Sequence, residues 1–399
     1  MSNFMPHRTV LISGAGIAGP TLAYWLIRRG FIPTLIERAP RFREGGYIID
    51  FWGVGFDVAE RMGLIPVLRS AGYVIDRVQF VAADGRLRSA IGGNALQRTL
   101  GDRLVSIKRG DLAHAIYRTI EQDVETIFGD CIREITQDGD SVGVTFEHGP
   151  PRAFDLVIGA DGLHSGVRTA LFGHDATFER YLGYYAASFS TSGYPKRDEH
   201  AYLSCAAPGR QISRYALRED QTGFLIVFER QNKFAGLTLD VSAQKQVLHQ
   251  QFSGEPWVEW PEIEKRLELC GDLYFDSVSQ VVLPAWFRGR VALVGDAAYC
   301  PSLLSGEGSA LAMAGAYILA RELDHYGGDY ARAFAAYESR FRPFIERKHK
   351  SARAFASSFA PKTSFGLFLR DQVLHLSSIP FVAEFLMRHF VLDQFTLPD

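Results

Sequence analysis

A short, largely apolar run, TVLIS at 9–13, halts at Gly14, the pattern of a strand buried on both faces. Beyond it Leu22, Trp25 and Leu26 recur at helical spacing, with Pro20 in the first turn and Gly30 as the stop, and a second short strand occupies 34–36. The strand-then-glycine pattern returns at 155–158, before Gly159, and at 291–294, before Gly295 and a long apolar helix. Between those points the period shortens. Aromatic and β-branched stretches at 184–191, 200–205, 211–217, 223–228 and 274–283 read as strands, and 78–82, followed by the turn Asp84-Gly85, joins them. Toward the C-terminus, 330–347 and 365–390 carry aromatic residues at helical spacing, the second broken near Pro380. The pattern predicts an α/β chain with a parallel sheet, an inserted antiparallel sheet and C-terminal helices.

The first turn carries chemistry. Gly14, Gly16 and Gly19 are spaced as G-x-G-x-x-G, with Ala15, Ile17 and Ala18 between them. In such a loop the first glycine permits the tight turn, the second lets backbone approach a pyrophosphate, and the third lets the helix pack closely on the strand. Glu37 closes the second strand, where a carboxylate can accept hydrogen bonds from a ribose. Strand, helix, second strand and terminal acid together predict a Rossmann-like dinucleotide site. Asp161 and Asp296 stand at the ends of the later strands, where ligands of open α/β sheets bind.

Composition narrows the classes. At 399 residues the chain can bury a large core, and 43 Lys and Arg against 45 Asp and Glu predict no nucleic-acid surface. Cys131, Cys205, Cys270 and Cys300 are scattered without C-x-x-C spacing, which points away from zinc and disulfides and toward a cytoplasmic setting. The apolar C-terminal stretch is interrupted by Arg370, Asp371, Glu384 and Arg388, so stable membrane insertion is not expected.

Taken in order, the glycine loop with Glu37-Arg38, the R-x-x-L-x-x-x-I stretch from Arg109 to Ile116, the Asp161-Gly162 motif and the Gly295-Asp296 motif resemble those of the flavin-dependent aromatic hydroxylases. These are the para-hydroxybenzoate hydroxylase-like FAD monooxygenases. Within that class, EGGYIIDFWGVG and CPSLLSGEGSALAMAGAYILA look closest to bacterial members acting on polyketides, tetracycline-inactivating enzymes among them. The resemblance implies an FAD-binding domain built from 1–77, 101–176 and 284–325, a substrate sheet from 78–100 and 177–283, and helices at 326–399 that close the pocket. It implies that Glu37 binds the adenosine ribose, that Arg38 and Arg109 lie along the FAD, and that Asp296 bonds its ribityl or pyrophosphate part. Asp161 and Arg168 would hold the loops and bear on nicotinamide binding. Arg43 falls where relatives place an arginine that meets flavin or reductant, and Pro301, Gly306, Gly308 and Ser309 would lie on the flavin side of the last motif.

The chain departs from the class in places. Tyr299 stands where many members have His, Pro301 comes one position early, Glu307 replaces a frequent Gln, and Ser309-Ala310 fill the place of an Asn. The helix start near Gly306 to Gly308 offers backbone donors to the negative pyrimidine end of a reduced flavin. A carboxylate at Glu307 opposes that charge; either it points away and favours the helix start, which is the expectation, or it is held protonated.

The inserted sheet is expected to roof a large apolar pocket lined by Tyr202, Arg214, Phe224, Phe228 and Leu304. The resemblance implies that NADPH or NADH reduces the FAD, that dioxygen adds to give a flavin hydroperoxide, and that one oxygen passes to an electron-rich carbon of an aromatic or polyketide-like substrate. His114 and His164 read as structural, and no general base is named. An oxidase or reductase on the same scaffold is the alternative, and a drug-sequestering protein a further one. Trp257, Trp260 and Pro261 lack the W-x-W-x-I-P spacing of flavin halogenases, and their segment reads as an exposed helix start. A monomer or homodimer is expected.

Overall fold

The computed structural model describes residues 8–42, 46–92, 100–173, 178–234, 240–377 and 395–399. Arg43 and Pro380 lie outside the described residues. One layer is a six-stranded sheet in the order Phe287–Arg288, Val291–Leu293, Leu156–Gly159, Arg8–Ser13, Phe31–Glu37 and Glu125–Phe128, parallel except at its first pair. Ile12 stands level with Ile158 on one side and Leu35 on the other, and all three are fully buried. Apolar residues without alternation therefore form this strand because both of its faces are covered. The helix Ala18–Ile27 packs against the helix Gly308–His325, and so does Val54–Arg61, where any side chain at Gly55 would collide with Ala310.

The second layer is a seven-stranded sheet, ordered Tyr274–Val281, Glu179–Ser192, Gln221–Glu229, Arg210–Ala216, Ala201–Ala207, Arg77–Val81 and Leu87–Gly92. Neighbours are antiparallel except Ala201–Ala207 with Arg77–Val81. Its two faces differ. On one, Phe189, Ile212, Phe224, Ile226 and Phe228 are buried with Leu248 of the helix Val241–Gln251 and with Trp260 and Ile263 of the helix Trp260–Leu269. The other face carries Ser188, Tyr202, Ser204, Ser213, Tyr215 and Val227, and it meets the strand Ile48–Phe51, which pairs with Val105–Lys108 in a separate two-stranded sheet: Ile48 N–H donates to the Tyr215 hydroxyl at 3.3 Å.

This corrects the expected pocket lining. Arg214, Phe224 and Phe228 lie on the covered face, because a register one residue away turns every side chain to the opposite side. Arg214 is buried there. Its Nε donates to Glu259 at 2.8 Å and its Nη2 to Asp198 at 2.6 Å, while the Tyr194 hydroxyl donates to Glu259 at 2.8 Å. The segment expected to be an exposed helix start does begin a helix at Trp260, but Trp257 and Trp260 are 1% and 4% exposed. They close the aromatic core under the sheet.

The helix Tyr330–Phe359 runs beyond the predicted end at 347. Phe334, Tyr337, Phe341 and Phe344 make its buried face, which continues as Ala352 and Ala356, residues too small to register as an aromatic pattern. A final helix, Ser364–Ser377, lies along the strand Leu87–Gly92.

Replacing Arg214 by Met leaves Glu259 buried with a hydroxyl and a more exposed lysine for company, and should destabilise the fold by about 3 kcal/mol in urea unfolding. Substrate KM should stay unchanged in the folded fraction. A raised KM at unchanged stability would return Arg214 to the pocket.

Candidate active site

The strand ends of the first sheet converge on one edge. Gly14 N–H donates to the Ile36 carbonyl and Ala160 N–H to the Ser13 carbonyl, both at 2.7 Å, so the first and third strand-end loops touch. Gly14 has φ +108°, and a Cβ there would stand 2.5 Å from the Ala160 carbonyl oxygen. Gly19 lies against the Gly14 carbonyl with no room for a side chain. Gly16 is different: a Cβ would meet nothing within 4 Å. The loop is thus closed on its protein side and open at Gly16, and no side chain caps the helix that starts at Ala18. Backbone donors and an open approach form a cradle that fits a pyrophosphate.

Glu37 stands at the rim. Its two oxygens accept from Ala15 N–H and Ala39 N–H, each at 2.9 Å, which ties the glycine loop to the end of the second strand. Arg38 is exposed and interacts with Cys131.

Asp161 accepts from the Ser165 hydroxyl at 2.5 Å and Val167 N–H at 3.1 Å, so both oxygens serve its own loop. Burial pushes its carboxyl up, against those hydrogen bonds. Arg168 is fully buried, and its guanidinium donates to the carbonyls of Leu163 at 2.5 Å and Ala297 at 3.0 Å. It thereby joins the Asp161 loop to the Asp296 turn. His164 reaches the second sheet, with Nε2 at 3.0 Å from both oxygens of Asp276.

Asp296 opens the short helix Asp296–Tyr299 after Gly295, whose φ is +67°. Burial pushes its carboxyl up, while Arg109 and the Cys300 thiol pull it down. Arg109 begins the helix Arg109–Tyr117, and its N–H donates to the Tyr47 carbonyl at 3.0 Å. The Tyr47 hydroxyl, pushed up to about 12 by burial, feels both Arg109 and Asp296, and its ring lies 5.8 Å from that of Tyr274. Arg109, Asp296, Tyr47 and Tyr274 therefore share one enclosure between the sheets.

The last motif completes it. The Pro301 carbonyl accepts from Gln280 at 2.9 Å, Ser302 holds a strained φ of +120°, and Gly306 is left-handed with open space around it. Gly308 begins the helix, a Cβ there would lie 3.5 Å from Asp296 Oδ1, and Ser309 is buried in its first turn. Asp50, Trp52, Gly306, Glu307 and Ala310 line one gap beside this loop. Glu307 is ion-paired with Lys348 from the helix Tyr330–Phe359. Tyr299, where His is common, is core: its ring packs on Trp286 and Phe341 and its hydroxyl accepts from Tyr337 at 3.2 Å.

The sheet face above is hydroxyl-rich where an apolar roof was expected. Tyr202 stacks on Tyr215 at 5.4 Å, Ser204 and Ser213 hydroxyls lie 2.8 Å apart, and Gln211 donates to Ser213 at 3.2 Å. Leu304 packs with Tyr184, Ala186, Val227 and Ala356 beside this face. Of the expected lining, Tyr202 and Leu304 lie on this side. Tyr47, Asp50, Tyr215, Tyr274 and Lys348 were not singled out from the sequence, although Tyr47 and Asp50 sit in the EGGYIIDFWGVG tract.

Residues 7–351 match the family model described as FAD binding domain. The chain belongs to this family. It is an FAD enzyme of the flavoprotein monooxygenase kind, and among the described residues no helix is long and apolar enough to cross a membrane. An uncharacterized protein of Mycobacterium tuberculosis is 38% identical over 85% of this chain and 91% of its own length. A flavin-dependent monooxygenase of Legionella longbeachae is 36% identical over 88% of this chain and 90% of its own. The crystal structure of tetracycline destructase Tet(55) is 32% identical, with a TM-score of 0.83 over 99% of this chain and 100% of that one. The family's FAD fits the cradle at Gly16 and the enclosure around Asp296.

The His164–Asp276 pair links the Asp161 loop to the second sheet and titrates. Its hydrogen bonds to Asp276 raise the His164 pKa, so its stabilisation is complete below the ordinary histidine value of about 6.5 and is lost as pH rises through the raised one. His164→Gln should therefore lower the melting temperature most at about pH 6 and hardly at all by about pH 9. An equal loss at both pH values would show that the contact acts without its charge.

Proposed function

We propose that this chain is an FAD- and NAD(P)H-dependent monooxygenase that hydroxylates an aromatic or polyketide-like compound rich in phenol and keto groups, of the tetracycline type. The observation that carries the reading is the sheet face opposite the glycine-glutamate-glycine loop. Its aromatic pair Tyr202–Tyr215 offers a surface for a flat ring system, and the buried Ser204, Gln211 and Ser213 form a hydrogen-bonded polar patch on the same face. Likeness to a tetracycline destructase along the whole chain supports the same substrate class.

Bound FAD supplies two-electron uptake from a reduced nicotinamide and delivery of one oxygen atom of O2 to an electron-rich carbon. The chain's residues bind and orient. Gly14 to Gly19 and the start of the helix Ala18–Ile27 hold the pyrophosphate, Glu37 the adenosine ribose, and Asp296 and Arg109 the inner part of the cofactor. Burial pushes the Tyr202 hydroxyl well up and the Tyr215 hydroxyl up to about 12, so both stay protonated at neutral pH and can donate to substrate oxygens. The stacked strands and Leu304 keep bulk water from the reacting carbon.

Incubation with 18O2, NADPH and a panel of phenols and tetracyclines should give one product a single labelled oxygen heavier. Stoichiometric peroxide with every compound would favour an oxidase. Ser213→Ala should raise KM for the accepted substrate about 2- to 10-fold with little change in FAD content, the worth of one hydrogen bond. Asp296→Ala should weaken FAD binding about 10- to 100-fold, read by flavin fluorescence on dilution; undiminished retention would remove Asp296 from the cofactor site.

A further inference from the structure

Arg370, on the helix Ser364–Ser377, is a cation enclosed against the hydroxyl-rich face of the second sheet. Its side chain is 11% exposed and its guanidinium lies 4.5 Å from the centre of the Phe80 ring. Nη1 donates to the Phe359 carbonyl at 3.2 Å and to the side-chain oxygen of Gln211 at 3.1 Å. A guanidinium has donors and no acceptor, so the atom of Gln211 that faces it must be the oxygen. The amide nitrogen is thereby turned the other way, and it donates to the Ser213 hydroxyl at 3.2 Å.

From Ser213 the bonding continues toward the enclosure. Ser204 stands level with Ser213 and Tyr202 level with Tyr215, which makes Tyr202 the diagonal neighbour of Ser213 on one face. The Ser213 hydroxyl hydrogen-bonds the Tyr202 phenol oxygen and draws its pKa back down against burial. A bond with that effect is one in which the serine donates. The single Ser213 proton is then committed to Tyr202, and Ser204, 2.8 Å away, donates to Ser213. Tyr202 is only half-buried although protein surrounds it, so it opens onto the space between the sheets. Asp50, which accepts from Ser106 and lines the gap beside Gly306, acts on its hydroxyl through space. With its oxygen already accepting, Tyr202 has its own proton to offer into that space.

We propose that Arg370 is a positioning residue that sets substrate specificity: by fixing the direction of the chain from Gln211 through Ser213 to Tyr202, it makes the tyrosine face a hydrogen-bond donor. The site then takes a flat substrate by a keto or enolate oxygen rather than by a phenol proton. The inference rests on the reading that the Tyr202–Tyr215 pair receives the substrate. Without the cation, the Gln211 amide is free to turn over and accept from Ser213. Each hydroxyl both donates and accepts, so the chain reverses, and Tyr202 donates inward and shows a lone pair to the ligand.

The experiment is calorimetric titration of purified holoenzyme, with FAD oxidised and no NAD(P)H, by two flat tricycles of the same outline. Fluorenone carries an oxygen that only accepts, and carbazole an N–H that only donates. Wild type should bind fluorenone more tightly. Gln211→Glu keeps a partner for Arg370 but turns an acceptor toward Ser213, and should lower the fluorenone-to-carbazole affinity ratio about 5- to 10-fold, the worth of one neutral hydrogen bond. Arg370→Met should lower the ratio in the same direction, and Arg370→Lys, which also only donates, should keep it. A merely structural role would weaken both ligands alike and leave the ratio unmoved. Should Arg370→Met fold poorly, Gln211→Glu and Arg370→Lys still decide. Variants that share the wild-type ratio, or a wild type without preference for fluorenone, would overturn the role of Arg370 and leave monooxygenation untouched. Absence of an 18O-labelled product from a wild type whose variants show these shifts would instead overturn the proposed function alone.

Discussion

The buried guanidinium of Arg168 is the contact on which the site's geometry depends. Its charge reaches two carboxyls, Asp161 and Asp296, whose pKa values burial raises; the Ser165 hydroxyl and Arg109 respectively oppose that rise most, and Arg168 adds a smaller pull in the same direction. It donates to the carbonyls of Leu163 and Ala297, so one cation serves the backbone of two separate strand-end loops. A planar, permanently charged fork can serve both loops at once. The parallel strands bring the loops to the same edge, where Val294 N–H donates to the Gly159 carbonyl at 2.9 Å. Arg168 adds a side-chain tie between the same two loops.

The motif end of the site was legible in the sequence for a physical reason: each motif residue answers a local backbone demand. Gly14 must take φ +108° against Ala160, Gly19 must have no side chain against Gly14, and Gly295 must turn with φ +67°. Such demands leave glycines at fixed spacing whatever the rest of the chain does. The sheet was legible only as a sheet. Its strands lie within a few residues of the predicted ones, yet Phe224 and Phe228 face away from the flavin layer, because alternation gives two faces and aromatic richness does not say which one meets the cofactor. The missing information lay in the helices Val241–Gln251 and Trp260–Leu269, whose buried Trp260 and Ile263 claim the aromatic face. The face left uncovered by those helices is the one with serines and paired tyrosines.

Two of the departures from the family pattern, Tyr299 and Glu307, look at first like losses, but both have a partner on the helix Tyr330–Phe359. Tyr299 carries more volume than histidine, and its hydroxyl occupies the space over Gly315, where no side chain fits, and bonds Tyr337. Glu307 brings a charge, and Lys348 meets it. His349, next along, lies within hydrogen-bonding reach of the carbonyls of Tyr299 and Cys300, and burial keeps its pKa low, so it stays neutral and can donate to them. Three successive features of the loop thus answer to one distant helix. That coupling explains why single-motif reading stops short here: a residue in the loop is interpretable only with its partner some forty positions further on. It also couples the long helix to the loop, because a shift of the helix would move Tyr337, Lys348 and His349 together and change the packing, charge and backbone bonding of the loop in one step.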